Sequence, residues 1–503
     1  MENLQEKVKK VQAQLQEKQN MYIDGEWVDS ASGATREMIN PATEEVIATV
    51  ADGNESDAAQ AVEAAYRSFY QDGWSESYAR DRADKLFALA NLLEERVEEF
   101  AIIETLNAGK VLDDAIYDIH DAVNQLRYYG GLATKPNGQT FDVPDNVQTL
   151  VIAEPVGVVG AIVPWNYPLL MAMQKLAPAI AAGCSIVIKP AETTPLTLIK
   201  FFELIDEVGF PKGTVNLILG DGASVGAEIT RHPKVDKVTF TGGNATGKKI
   251  IQASADTIKK VSLELGGKSP LIIFDDADFE AAVDHASFAI FSNQGQVCSA
   301  GSRLILHESL HDRFMEALVA LTKKIKVGNG LAKETDMGPL ISKEHFERVL
   351  NYIAIGKNEG AELACGGNPI DGKGHYLEPT IFTNTTPDMR IVKEEIFGPV
   401  LVVQTFKTEE EAIALANDSI YGLAGGVFTN DSAKAMRVIK KVRAGITWIN
   451  TYHNTYNEAP WGGYKQSGIG RDLGTYGLDQ YLEYKQINMS LNVAPSNWIK
   501  NRD

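Results

Sequence analysis

The stretch NQGQVCSAGSR, Asn293 to Arg303, sets one cysteine among Gly, Gln, Ser and Ala. A cysteine inside an apolar run is a packing residue, whereas small polar neighbours leave a substrate room to approach the sulfur. Cys298 therefore reads as a nucleophile or as a packing residue. Glu264, in SLELGGKSP, stands just before two glycines. It reads as a general base or as a strand-end charge. Asn166, in WNYP, carries an amide that could donate to an oxyanion, or it is an asparagine in a turn.

A second cluster points to a nucleotide. TFTGGNATGKK, Thr239 to Lys249, matches GxxxxGK, but Lys249 stands where an ATP-binding loop needs a Mg²⁺-holding Ser or Thr. IIFDDAD supplies only a weak acidic strand end for that reading. A dinucleotide site fits better. The strand IVIKPAE ends in Lys189 and Glu192, and a carboxylate at a strand's C-terminal end can accept both hydroxyls of an adenosine ribose. It would also repel a 2′-phosphate, which favours NAD over NADP. GDGASVG adds Gly220, Gly222 and Gly226, yet GxGxxG is absent and Glu192 precedes both glycine turns. The glycines could instead serve tight turns alone.

These residues need a scaffold. The chain has 503 residues, too many for one compact core, so two or three domains are expected. LVIAEPVGVVGAIVPW is apolar and strand-like. Helical and apolar segments then alternate: MAMQKLAPAIAAG with CSIVIKP, LTLIKFFELIDEVG with TVNLILG, SVGAEITRH with KVTF. That alternation predicts α/β architecture with parallel sheets covered on both faces. It resumes after Glu264 through LIIF, SRLILH, PTIFTN, PVLVVQTF and ITWIN, a second α/β domain. Upstream, ESDAAQAVEAAYRSFY reads as one helix and RADKLFALANLLEERVEEFAIIETL as a longer one, capped by Gly109. Residues 1–20 carry Leu4, Val8, Val11 and Leu15 at helical spacing. Two turns are marginal alone, so a frayed extension is expected over a partner helix.

The net charge of −19 argues against nucleic acid and anionic membrane as partners. Cys184, Cys298 and Cys365 lie far apart without a CxxC pair, and the eight histidines show no metal spacing, so no metal site is expected. No apolar run reaches membrane-span length, and the N-terminus lacks a signal core. A reducing cytoplasm is the expected compartment.

PWNYPL, KPAE, FTGG…GKK, LELGGKSP, GQVCSAGSR, EEIFGPV and PWGGYKQSGIGR occur in one order along nearly the whole chain. Together they resemble the NAD(P)-dependent aldehyde dehydrogenase superfamily. The resemblance implies two doubly wound parallel-sheet domains plus a small β oligomerisation extension. Cys298 is then the nucleophile, Asn166 and the Cys298 backbone N–H the oxyanion donors, and Glu264 the base that activates water. Lys175 would join a proton path. Lys189 and Glu192 would bind the ribose of NAD. Pro164, Trp165, Gly222, Gly242 and Gly243 would line the cofactor, with Glu395 and Phe397 at the nicotinamide end. The implied domains are 21–135 with 155–266 for NAD, 267–466 for catalysis, and 136–154 with 482–503 for oligomerisation, after the extension 1–20. A homo-oligomer, dimer or tetramer, is implied.

Two departures from the family pattern stand out. Asp472 stands where many members have Glu, which puts the relay with Lys175 in doubt. Asn107-Ala108 replaces the common Asp-Thr, with no evident effect. Tyr167, Gln174 and Trp461, with Tyr452, His453 and Tyr456 on the loop INTYHNTYNEAPWGGYKQSG, match positions around the substrate tunnel. That loop is most similar to betaine aldehyde dehydrogenases of Gram-positive bacteria. Aromatic faces suit a quaternary ammonium, and Glu458 could add attraction or be a solvated charge. Against this, Gln174 replaces a cage Trp and suits a polar aldehyde. Betaine aldehyde or a similar aminoaldehyde, a broad range of aldehydes, and a semialdehyde all remain open. A CoA-acylating or non-catalytic member is disfavoured by the retained Glu264, Cys298 and Asn166.

Overall fold

The computed structural model describes residues 3–136, 138–144, 146–496 and 498–499. The ends of the two terminal extensions, residues 1–2 and 500–503, lie outside the described residues.

The fully buried strands form the centre of an eight-stranded sheet among the described residues. Val158–Ile162, Ser185–Lys189 and Lys237–Thr241 are buried at every position, as a sheet covered on both faces requires. The spatial order is Gly468–Ile469, Lys260–Glu264, Lys237–Thr241, Val158–Ile162, Ser185–Lys189, Val215–Leu217, Met21–Ile23 and Glu26–Val28. The five strands from Lys260–Glu264 to Val215–Leu217 are parallel. The chain begins in the middle at Val158–Ile162, winds outward to Val215–Leu217, then returns to the other side at Lys237–Thr241. The order therefore reverses between Val158–Ile162 and Lys237–Thr241. In open α/β sheets, a crevice for ligands opens beyond the carboxyl ends at such a reversal.

A seven-stranded sheet orders Glu362–Cys365, Thr380–Thr383, Val400–Phe406, Arg303–His307, Pro270–Ile273, Ala424–Phe428 and Ile446–Ile449. Only Glu362–Cys365 pairs antiparallel. Its core, from Leu271 to Tyr452, is separate from the core that ends at Leu265 and takes in Leu478, Tyr481 and Leu482. The chain thus returns to the first sheet after 467, where Gly468–Ile469 pairs with Leu263 and Glu264. A third sheet joins Gln139–Phe141, Val147–Pro155 and Leu482–Ser490, all antiparallel.

Three local expectations are corrected. Residues 82–106 are not one helix: Ala79–Glu95 and Val97–Ala108 break at Arg96, with φ −119° and ψ 16°. The break lets Val97–Ala108 bury nearly every side chain while Ala79–Glu95 keeps a solvent face. The apolar run from Leu150 to Trp165 serves two sheets, one strand ending at Pro155 and the next starting at Val158. From Asn3 on, the N-terminal extension is not frayed. Leu4–Leu15 is a helix closed by a capping box from Asn3 to Glu6. It buries Val11 and Leu15 and ties Lys7 to Glu98 on Val97–Ala108. Docking supplies what two lone turns lack.

Candidate active site

The reversal opens into a cavity of about 680 Å³ lined by both α/β halves. Pro164 and Trp165 follow the strand Val158–Ile162, and Gly242 and Gly243 follow Lys237–Thr241. Glu264 ends the next strand, in register with Thr241, and its carbonyl accepts from the Gly242 N–H at 3.0 Å. The second half contributes Cys298, Glu395, Phe397, His453, Tyr456 and Trp461.

Cys298 sits after a strained turn. Asn293, Gln294 and Gly295 have φ of 45°, 57° and 68°, a left-handed run that costs energy unless the surroundings hold it. They do hold it. The Asn293 amide donates to the Asn166 carbonyl at 3.2 Å, and the Gln294 amide to the Gly109 carbonyl at 3.3 Å. The Asn166 amide donates to the Gln296 carbonyl at 2.8 Å. One of its two N–H groups is thus anchored and the other remains for the cavity.

The two glycines of LELGGKSP have a steric reason. A side chain at Gly266 would meet the Glu395 carboxylate, and one at Gly267 the Cys298 carbonyl. Their absence lets both segments close on the end of Lys260–Glu264, and the Gly267 N–H donates to Glu395 Oε1 at 2.9 Å. Gly247 of the GxxxxGK match packs against Leu265, while Lys248 and Lys249 are exposed. The spacing that resembles an ATP loop therefore reflects helix–sheet packing. Gly243 caps the helix Asn244–Ser254 without a side-chain hydrogen bond, and no acid lies in its first turn. Such an open N-terminus suits a phosphate.

Burial governs the titratable groups. It pushes the Cys298 thiol up to about 12, and the neighbouring Glu395 and Glu264 carboxylates add to this. Burial holds Glu264 well above the usual carboxylate range. Asp472 reinforces it, while Lys175 and Arg471 oppose it. Glu264 Oε2 has no hydrogen-bond partner. Burial lifts Glu395 to about 7 against the Gly267 N–H. A protonatable carboxyl with a free oxygen in the cavity can hold or pass a proton.

The anticipated residues divide. Cys298, Glu264, Asn166, Pro164, Trp165, Gly242, Gly243, Glu395, Phe397, Tyr167, Gln174, His453, Tyr456 and Trp461 all border the cavity. Trp165 meets Phe397 edge-on at 5.2 Å, and Phe397 holds a φ of 64°. Lys189 and Glu192 lie off the cavity at the end of Ser185–Lys189. Lys189 Nζ donates to the Pro190 and Gly220 carbonyls at 2.8 Å and lies 3.6 Å from Glu192. Gly222 stands nearby, in the turn after Val215–Leu217. Lys175 points away from the cavity and pairs directly with Asp472, so the shorter carboxylate still reaches its lysine.

Tyr452 is corrected: it does not line the cavity. It is fully buried, and its hydroxyl donates to the Ser299 carbonyl at 3.0 Å. It supports the Cys298 loop from beneath. Asn107 gains an explanation, because its amide donates to the Thr193 carbonyl at 2.9 Å and accepts from the Leu196 N–H at 3.3 Å. It braces the loop after Glu192.

The structure also adds a wall absent from the sequence reading. Asp114, Tyr117, Asp118 and Asp121, on the helix Leu112–Leu132, line the cavity together with Phe288, His453 and Tyr456. Their spacing of three, four and seven residues marks one helical face, a signal readable in LDDAIYDIHDAV. Burial raises Asp114 and Asp121 above the usual carboxylate range, and Lys110 and Asn457 respectively oppose it. Asp118 is bound directly by Lys110, whose Nζ also lies 4.2 Å from the Tyr167 ring centre. That ion pair holds Lys110 protonated despite its burial.

The sequence profile of the aldehyde dehydrogenase family matches residues 27–487. The chain belongs to the aldehyde dehydrogenase family. Among its relatives, betaine aldehyde dehydrogenase of Bacillus subtilis (strain 168) is 49% identical, over 96% of this chain and 99% of that protein. The peroxisomal aminoaldehyde dehydrogenase 2 of Pisum sativum is 43% identical, over 95% and 97%. A crystal structure of betaine aldehyde dehydrogenase from Staphylococcus aureus in complex with NAD⁺ superposes with a TM-score of 0.97 at 50% identity, covering 98% of this chain and 99% of that one. The two doubly wound sheets and the small third sheet are thus the fold of this family. Among the described residues no metal-binding cluster occurs, and no helix is long and apolar enough to cross a membrane.

Proposed function

We propose that this chain is an NAD-dependent dehydrogenase that oxidises a cationic aldehyde, betaine aldehyde or a related aminoaldehyde, to its carboxylic acid. The observation that carries the substrate class is the cavity lining, which combines Asp114 and Asp121 with aromatic side chains. Acids draw a cation in, and aromatic faces hold it once desolvated. The names of the relatives agree with this reading.

Three features support NAD. The open helix start at Gly243 suits the pyrophosphate. Glu192, 41% exposed at its side chain, presents a carboxylate to ribose hydroxyls and disfavours a 2′-phosphate. Trp165, packed edge-on against Phe397, lines the same cavity as Gly243. Pro164, Lys189, Gly222, Gly242 and Glu395 complete the proposed cofactor residues.

In the proposed reaction Cys298 Sγ bonds to the aldehyde carbon as its proton passes to the Glu264 carboxylate, which lines the same cavity, and from there to solvent. The free N–H of Asn166 and the Cys298 backbone N–H stabilise the oxyanion, which exists only after attack. When bound, NAD supplies a cationic ring that accepts the hydride. The substrate is then a thioester on Cys298. Glu264 takes a proton from water as the water oxygen bonds to the acyl carbon, the C–S bond breaks, and the acid leaves. Lys175 and Asp472 lie behind Glu264 and tune it. Gly462, where a side chain would meet Glu264 Oε1, leaves the carboxyl room.

We further propose a homo-oligomer built through the sheet of Gln139–Phe141, Val147–Pro155 and Leu482–Ser490. Exposed Phe141, Tyr484, Ile487 and Met489 support it. The division near residue 266 is supported by the separate cores. A cytoplasmic setting is supported by the three free cysteines. The deciding test measures NADH formation from betaine aldehyde, 3-aminopropionaldehyde and propionaldehyde, with NAD and with NADP. The cationic aldehydes should have the higher kcat/KM, with NAD. A preference for propionaldehyde would favour a broad-range enzyme, the reading that Gln174 keeps alive. Cys298→Ala should abolish turnover yet bind NAD, and retained turnover would remove Cys298 from its role.

A further inference from the structure

The helix Pro168–Ala182 begins two residues after Asn166 and sends one face into the cavity: Tyr167, Leu170, Met171 and Gln174. Lys175, the next residue, lies outside that face and pairs with Asp472. Gln174 is the polar member of that face beyond Tyr167. It is 5% exposed, and its Oε1 is buried without a hydrogen-bond partner. Leu170, Phe288 and Val297 around the cavity offer no polar group. A buried amide acceptor left unpaired is costly, and a ligand that supplies the missing donor recovers that cost. The last torsion of a glutamine is broad, so the amide can turn its oxygen to such a donor.

The position also has a reach. Gln174 lies six residues into the helix, roughly 9 Å along its axis from Pro168. Side chains lean toward the helix N-terminus, the end nearest Asn166, and Gln174 lines the same cavity as Cys298. A short aldehyde anchored at Cys298 would bring its far end to this amide.

We infer that Gln174 is a specificity-determining residue that selects a short ω-aminoaldehyde with N–H donors over its quaternary trimethylammonium counterpart. This rests on the proposed function. Both cations are drawn by Asp114 and Asp121, so charge does not separate them. The primary ammonium donates to Gln174 Oε1. The trimethylammonium has no N–H, leaves that acceptor unpaired and pushes methyl groups against it. Lys110 further weakens the alternative cage, because its ammonium already sits 4.2 Å from the Tyr167 ring centre and competes for the ring's negative face.

The test compares kcat/KM for 3-aminopropionaldehyde, its N,N,N-trimethyl derivative and propionaldehyde, in wild type and in Gln174→Met. Methionine keeps the unbranched length and removes the acceptor. Wild type should prefer the primary amine over the trimethyl compound, and Gln174→Met should lower that ratio by about tenfold, mainly through KM. Gln174→Glu, which keeps an acceptor, should retain the preference. It serves as the second variant if the methionine protein folds poorly. The same ratio in wild type and Gln174→Met, or a wild-type preference for the trimethyl compound, would overturn the role of Gln174 alone. No NADH from any of the three aldehydes would overturn the proposed function with it.

Discussion

Replacing Asp472 by asparagine separates two roles that meet behind Glu264. The side chains of Lys175 and Asp472 are 0% and 3% exposed, and they touch. Solvent screening therefore gives no discount of the kind that weakens surface pairs. Removing one partner of a buried ion pair leaves the other charge desolvated and costs about 3–5 kcal/mol. Asparagine keeps the shape and one acceptor oxygen, so the lower end, about 3 kcal/mol, is expected from that range. The second effect is on the proposed base. Asp472 raises Glu264, whereas Lys175 and Arg471 lower it. With Asp472 neutral, the two cations act unopposed and Glu264 ionises at lower pH. A general base works above its pKa, so the acid limb of steady-state turnover should move to lower pH. Urea unfolding measures the first effect, and a pH–rate profile over the neutral range measures the second. Asp472→Glu should restore both, because it returns the charge. A stability loss below about 1 kcal/mol, the value of an exposed pair, would refute the buried-pair argument. An acid limb that stays or moves to higher pH would refute the electrostatic link to Glu264.

Three further outcomes are expected. Glu264→Gln should form NADH in a single burst and then stall at the thioester, read by rapid-mixing absorbance; unchanged steady-state turnover would sink the assignment of the base. Asp121→Asn should raise KM for a cationic aldehyde several-fold and leave the neutral one nearly unaffected, with the difference shrinking in high salt. In wild type the cationic-to-neutral ratio of kcat/KM should fall as pH drops, because Asp114 and Asp121 protonate at higher pH than ordinary carboxylates and then cease to attract the cation. The neutral aldehyde is the reference that cancels the titrations of Cys298 and Glu264. A ratio that rises toward low pH would exclude these acids from substrate attraction.

Most of the cavity lining was legible because the proposed chemistry needs unusual residues in unusual surroundings. Cys298 among small polar residues, Glu264 before two glycines, and Lys189 with Glu192 at a strand end each carry a local signal. The parallel strands were legible because burial on both faces demands unbroken apolar runs. Tyr452 was misread because it shares its loop with Tyr456, and only packing decides which ring faces the cavity. The break at Arg96 was hidden because both flanking helices continue an apolar pattern. The N-terminal helix was underrated because its stability comes from docking on Val97–Ala108, which local spacing does not contain. The acidic face of Leu112–Leu132 did carry helical spacing. An acidic stripe on a helix nonetheless reads as a solvated surface until a cavity is found in front of it.

The same geometry couples the proposed substrate wall to the proposed hydrolysis. Trp461 of the wall and Asp472 exchange backbone hydrogen bonds of 2.7 and 2.8 Å. Asp472 in turn holds Lys175, which sits one residue after Gln174 on the helix that begins beside Asn166. Glu264 lies between these segments, with Gly468 paired against its backbone. A shift of the Trp461 loop cannot occur without moving Asp472, and a shift of Asp472 changes the charge felt by Glu264. Substitutions at Trp461 should therefore perturb hydrolysis as well as binding, whereas substitutions at Tyr456, exposed and outside this chain of bonds, should perturb binding alone.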